Sequence, residues 1–535
     1  MHRAYLLTPY ISLGFKFLIF AACLLSGIVN ANGQKVSSQT TVGTTLVQSL
    51  KFQDRLQGEE GFIIVPENRK NSASRLITVH YFRFPARKPT GHPPVFILPG
   101  GPGQAILSVD IQNGLQQKRY NKIAEIEAFN QMRDVIIVNQ RGNSRVPGIQ
   151  HLPSTWTAKP GDWSKPLSYK NSNQRLVDGL KSSLKKCETL NIDLKGYNIL
   201  HLVDDVDAIR CAYGYETIAL RGGSFGSQWA LAYLKRYPNH VDRMILSGTE
   251  PLDHGYDSAE GIWNVFTKIE AQARTKKDLT LPEVGLIGAI KSIITRLEKQ
   301  PVRVRGRHPR KNYSANVLIG ADDFRYYLTR PLLDSRPHSR QMLELWPKFV
   351  LEIYQEDYQY LASKIIDDRP EDTHFSLLLT LVDNSLGITE TRQKKIESEP
   401  AYRWLGDLNR FYKATRDLTP TSEVSNEFRQ FDVSQTPLLM IHGTLDLATP
   451  FENALEMLQY FPQSHLITVK GGTHFASYQA ADVDPRFLEY LSTFMNSRDP
   501  ETEFIKIPSV ISLPALQLKP NQGRSLFDEL SLKKK

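Results

Sequence analysis

Six short apolar runs, each ending at or just before a glycine, constrain this chain more than any other feature. They are "PPVFILPGG" (93–101), "DVIIVNQRG" (134–142), "ETIALRGGS" (216–224), "VDRMILSG" (241–248), "PLLMIHG" (437–443) and "HLITVKGG" (465–472). Continuous apolar runs this short predict strands covered on both faces, not half-exposed strands, which would alternate. Helix-patterned stretches such as "RYNKIAEIEAFNQM" (119–132) and "SQWALAYLKRYP" (227–238) lie between them, as crossover connections of a parallel sheet require. The pattern stops near residue 254. Residues 255–430 are rich in Arg, Lys, Glu and Leu at helical spacing, with one strand-like pair around 302–318, and the β/α pattern resumes at 431. The expectation is an α/β sheet domain with crossover helices, interrupted by a mostly helical cap.

The flanking segments read differently. Arg3 and Lys16 precede an uncharged run, "FLIFAACLLSGIV" (17–29), with small residues at Val29 and Ala31. It is short for a bilayer span and fits a signal peptide over 1–31, so the mature chain is expected to be exported to the periplasm or medium without stable membrane insertion. Residues 32–50 read as a flexible leader, 51–254 and 431–497 as the two parts of the sheet domain, 255–430 as the cap, and 498–535 as a tail wrapping the surface. The 535 residues are 41% hydrophobic, enough for a large core. The formal charge is +10, but 66 Lys+Arg and 56 Asp+Glu are interleaved, so no nucleic-acid partner is expected. Only "RVRGRHPRK" (303–311) and the final "KKK" cluster, and a solvated hairpin and a frayed end account for them. No HExxH or Cys/His cluster calls for a metal or cofactor. Once Cys23 leaves with the signal, Cys187 and Cys211 remain, either bonded or as two separate thiols; nothing in the sequence fixes their distance.

Residues 217–233, "TIALRGGSFGSQWALAY", carry the chemistry. Gly222-Gly223-Ser224-Phe225-Gly226 fits G-x-S-x-G between an expected strand and an expected helix. Gly222 and Gly226 remove Cβ atoms that would collide across so sharp a turn, which presents the Ser224 hydroxyl at the carboxyl edge of the sheet. A serine hydroxyl needs a base, and the base an orienting acid, following in chain order after later strands. Asp446 in "HGTLDLATP" and His474 in "GGTHF" stand at those places. His442 and His465 lie inside apolar strands and read as core. Thr449, Pro450 and Glu452 fit the N-cap, N1 and N3 of a capping box that would fix the acid's loop. "LPGGPGQ" (98–104) follows the first central strand, so the oxyanion donors are assigned to the N–H groups of Gly101 and Phe225.

These segments resemble the α/β-hydrolase fold and, within it, the serine-peptidase family of proline iminopeptidases and tripeptidyl aminopeptidases. "GGSFGSQWALAY…YPNHVDRMIL", "PGGPG", "GTLDLATP" and "GGTHF" are similar to that family's nucleophile, oxyanion, acid and histidine segments. "NQRGNSR" departs from its DQRG-x-G-x-S, with Asn139 for Asp and Ser144 for Gly, in a segment expected to be a structural turn. The resemblance implies an exported aminopeptidase acting on peptides through an acyl-enzyme. It also implies an acidic partner for the substrate ammonium, for which Glu250 in "SGTEPLDH" is the candidate, its other reading being a solvated loop or cap carboxylate. An ester hydrolase with the same triad is the rival, and an inactive scaffold kept as a binding module is a third reading. Acidic groups at the cap mouth would favour peptides and an apolar lining esters.

Overall fold

The computed structural model describes residues 41–52, 56–103, 122–143, 152–330 and 339–532; the signal segment, residues 32–40 and the terminal lysines lie outside them. All six apolar runs contribute strands to one ten-stranded sheet. In chain order these are β1 (Thr45–Phe52), β2 (Leu56–Pro66), β3 (Leu76–Phe84), β4 (Val95–Leu98), β5 (Val135–Val138), β6 (Ile218–Gly223), β7 (Val241–Ser247), β8 (Leu438–Gly443), β9 (Ser464–Lys470) and β10 (Val510–Ser512). Their spatial order is β1-β2-β3-β5-β4-β6-β7-β8-β9-β10. The β1–β2, β2–β3 and β3–β5 pairs are antiparallel, and every pair from β5–β4 to β9–β10 is parallel.

The central strands show why their sequences do not alternate. Phe96, Leu98, Ile136 and Val138 point into one core, and Val95, Ile97, Val135 and Ile137 into the core on the opposite face. Both faces of the pleat are buried, so both must be apolar. The first chain segment meets the second across the cap: β7 pairs with β8 at Met244↔Leu438 through Ser247↔Ile441.

Three boundaries differ from the sequence reading. The leader expected over 32–50 gives its last residues to β1, whose "TLVQSLKF" pairs with β2 from Thr45↔Ile63 to Phe52↔Leu56; period-two patterning within a Ser/Thr-rich stretch suffices for an edge strand. The tail does more than wrap the surface. Its β10 lengthens the sheet beside β9, and Leu516, Leu518, Leu526 and Phe527 are buried in the cap's core. Residues 152–189, expected within the sheet domain, help to build the cap region. Strand Thr155–Ala158 pairs with Thr373–Ser376, and Trp156 Nε1 donates to Thr380 Oγ1 at 2.9 Å.

The cap has its own core, in which Phe266 and Trp346 stack with centroids 4.4 Å apart, and it meets the sheet domain through Leu445 and Leu447. The disulfide alternative is corrected: Cys187 and Cys211 are both free, one buried and one exposed. Cys187 faces the core from helix Tyr169–Thr189, whereas Cys211 sits at the outer end of helix Ile199–Ala212 beside Asp207 and Arg210. Among the described residues no helix is long and apolar enough to cross a membrane.

Candidate active site

Ser224 sits where β6 ends and helix Phe225–Arg236 begins, with φ 55° and ψ −133°. A β-carbon-bearing residue with positive φ stores roughly 1–3 kcal/mol of strain, held here because the turn is closed on both sides. The Ser224 N–H donates to Ser247 O at 2.9 Å. A Cβ on Gly222 would lie 2.2 Å from Gly226 O, and one on Gly226 would lie 2.2 Å from Leu98 O. The glycines thus allow the helix start to rest directly on the end of β4.

Asp446 and His474, the expected acid and base, come from the second chain segment. His474 Nδ1 faces Asp446 at 2.9 Å from Oδ2 and 3.1 Å from Oδ1. The imidazole packs over Gly248, just past the end of β7, where a Cβ would lie 3.1 Å from His474 Cε1. Ser224 and His474 therefore flank the same strand end. Burial alone would lower the His474 pKa, but the charge and hydrogen bond of Asp446 outweigh it and raise it. Asp446 is almost fully buried; burial would raise its pKa, yet His474, His442 and the Thr449 backbone hold it far below the usual carboxylate range.

The expected capping box is not formed. Helix Phe451–Leu458 has Pro450 at its N-cap without a side-chain cap bond, because the Thr449 hydroxyl donates instead to Asp446 Oδ2 at 2.8 Å. The Ala448 and Thr449 N–H groups donate to Oδ1 at 2.9 and 3.0 Å. Asp446 is thus held by its own loop from both oxygens. His442 is buried, its rings' nitrogens at Thr449 O and Thr249 N, and it holds that loop against the end of β7. His465 stacks on Phe504 with centroids 5.3 Å apart, away from this cluster.

Gly101, Ser224, Phe225 and Glu250 line one cavity of about 430 Å³. Among the described residues, the N–H groups of Gly101 and Phe225 donate to no other backbone group. The sequence reading missed what holds the Gly101 loop. Gln140, from the "NQRG" turn, accepts from Gly103 N at 2.5 Å and donates to Gly100 O at 3.0 Å and Pro99 O at 3.3 Å. The next residue, Arg141, is fully buried and grips Asp205 with two bonds, at 2.7 and 2.6 Å.

Glu250 is tied to the helix that follows Ser224. Its N–H donates to Ser227 Oγ at 2.9 Å, and that hydroxyl donates to Ser224 O at 2.7 Å. Two further acids that the sequence did not single out, Asp257 and Asp383, line the same cavity. Asp383 was detectable only as the lone charge within the apolar cap helix "LLLTLVDNSL". Burial first, and then the charges of Asp383, Asp257 and Asp446, push Glu250 well above the carboxylate range. Burial lifts Asp257 to about 6 against the pull of Arg330. Burial and Asp257 lift Asp383 to about 8, although the Tyr412 hydroxyl donates to it at 3.3 Å. Asp253 is occupied elsewhere, accepting from Thr389 N and Oγ1 at 2.7 and 2.6 Å. Among the described residues no group of three His, Cys, Asp or Glu side chains could hold a metal ion.

Comparison with known proteins agrees with this architecture. Residues 93–275 match the family described as alpha/beta hydrolase fold, and residues 412–501 match the one described as TAP-like protein. A proline iminopeptidase of Pestalotiopsis fici is 36% identical over 67 residues, covering 12% of this chain and 24% of that protein. The serine protease Hip1 of Mycobacterium tuberculosis is 24% identical over 230 residues, covering 39% of this chain and 40% of that protein. The chain thus spans well under half the length of these curated relatives. Among solved structures, a serine hydrolase from Cycloclasticus zankles aligns at 11% identity over 85% of this chain and 98% of that one, with a TM-score of 0.32. A thermophilic esterase from Thermogutta terrifontis aligns at 14% identity over 81% and 99%, with a TM-score of 0.33. With both family matches falling on the segments that build the sheet and its strand-end site, the chain has the α/β-hydrolase fold and carries a TAP-like segment over residues 412–501.

Proposed function

We propose that the protein is an exported serine aminopeptidase that releases short N-terminal pieces from peptides. The observation that carries this reading is the set of three acids, Glu250, Asp257 and Asp383, sharing a cavity with Ser224 and making no ion pair among the described residues. Unpaired acids kept away from bulk water are unfavourable unless a cation joins them, and the free amino terminus of a peptide is a cation of the right size. Such a wall offers nothing to a neutral ester. Export rests on the N-terminal apolar run alone.

The proposed reaction is acyl transfer through Ser224. His474 takes the Ser224 proton as the hydroxyl attacks the scissile carbonyl, and Asp446 orients the ring and stabilises its charged form. The developing oxyanion is held by the N–H groups of Gly101 and Phe225, each worth about 3 kcal/mol. His474 then protonates the leaving amine, and water releases the acyl-enzyme by the same route. The test is turnover of free-amine and N-acetylated peptidyl nitroanilides beside nitrophenyl esters. Cleavage of the free-amine peptides alone, lost in Ser224→Ala, is expected; ester turnover without peptide cleavage would transfer the assignment to an ester hydrolase.

A further inference from the structure

The candidate cavity also holds positive charge. Arg410 and Arg330 line it together with Tyr169 and Tyr326. The Arg410 guanidinium lies 4.1 Å from the Tyr169 ring centroid and 5.6 Å from that of Tyr326, while Arg330 lies 5.0 Å from the Tyr326 centroid. Stacking fixes the planes of both guanidiniums while leaving their N–H edges unused. Their neighbour Arg325 shows what a structural arginine here looks like. It is buried and spends itself on Trp404 O, Asp322 and Glu298 at 3.0, 2.9 and 2.5 Å. Arg410 and Arg330 have no such partners among the described residues; neither forms an ion pair, with the three acids of the same cavity or with any other.

Three acids and two guanidiniums lining one cavity would be expected to close onto one another. Neither guanidinium comes within ion-pair distance of the three acids, Arg330 acting on Asp257 only at longer range, which leaves the cavity with an acidic pole and an arginine pole. We propose that the Arg410–Arg330 corner holds a carboxylate of the substrate, so that the enzyme selects short peptides carrying a negative charge besides the free amino terminus. This rests on the aminopeptidase reading for the ammonium pole. The carboxylate has two chemical sources, an acidic side chain in the released piece or the α-carboxylate of a peptide short enough to lie wholly inside.

Calorimetric binding to Ser224→Ala decides both points. The ligands are free-amine Ala-Glu-Ala amide against Ala-Gln-Ala amide, and Ala-Ala-Ala acid against its amide, each repeated in N-acetylated form. A charged ligand is expected to bind about tenfold tighter than its neutral partner, as a charge-assisted pair would give; the pair showing this identifies the source. Adding Arg410→Gln should remove the difference, and adding Arg330→Gln, at an exposed position, should reduce it. In the active enzyme Arg410→Gln should raise KM for the charged peptide with little change in kcat. Equal affinities within both pairs would overturn the inference and leave the aminopeptidase reading standing. N-acetylated ligands binding as well as free ones would overturn the ammonium pole, and the charged–neutral pairs would still decide the arginine corner by themselves.

Discussion

At the scale of single residues, the site is set by side chains with one partner too many or too few. Thr449 serves Asp446 and not the helix it precedes. Thr449→Val is expected to lower kcat on free-amine peptides about tenfold, the worth of one hydrogen bond to a charged group, with little change in KM. Asp383 is the opposite case. Its ordinary pKa of 3.8 is raised to about 8 in the fold, so the neutral form is the one the fold prefers. The destabilisation is absent below the ordinary value and grows as pH rises toward the folded one. Asp383→Asn should therefore raise the melting temperature, and by more at about pH 8 than at about pH 5. An equal gain at both would refute the shift. The same substitution should weaken binding of free-amine peptides.

At the scale of elements, the loop after β4 depends on the turn after β5. Gln140 makes three bonds to it, so Gln140→Ala is expected to reduce kcat roughly ten- to a hundredfold with the melting temperature nearly kept, as when an oxyanion donor drifts out of place. Local rules made Ser224, Gly101, Asp446 and His474 legible, because strand, glycine and chemistry lie within a few residues of one another. Gln140 was passed over because its neighbours in sequence are not its partners. Asp257 and Asp383 were invisible as a pair, since only the folding of the cap brings them together. The three-residue β10 is too short to carry a pattern, and the polar setting of β1 masked its alternation.

At the scale of the whole molecule, the tail joins the two layers. It adds β10 to the sheet and lays Leu516 and Phe527 into the cap, where Glu529 and Arg524 O hold the fully buried ammonium of Lys348. Truncation before residue 515 leaves that charge without partners, which costs about 3–5 kcal/mol besides the lost apolar contacts. The truncated chain should melt well below the intact one, and Lys348→Met should recover part of the loss; no recovery would mean the buried charge is not what the tail serves.

The cap divides the site along the chain as well as in space, with Ser224 before it and Asp446 and His474 after it. A ribosome therefore completes the serine's corner while the whole cap and both partners are still unmade. Strand β8 is the late arrival that must pair with β7, and β9 with β8, and until they do the nascent polypeptide holds Ser224 without the loops of Asp446 and His474. A chain broken off anywhere within the insertion therefore holds Ser224 without Asp446 or His474.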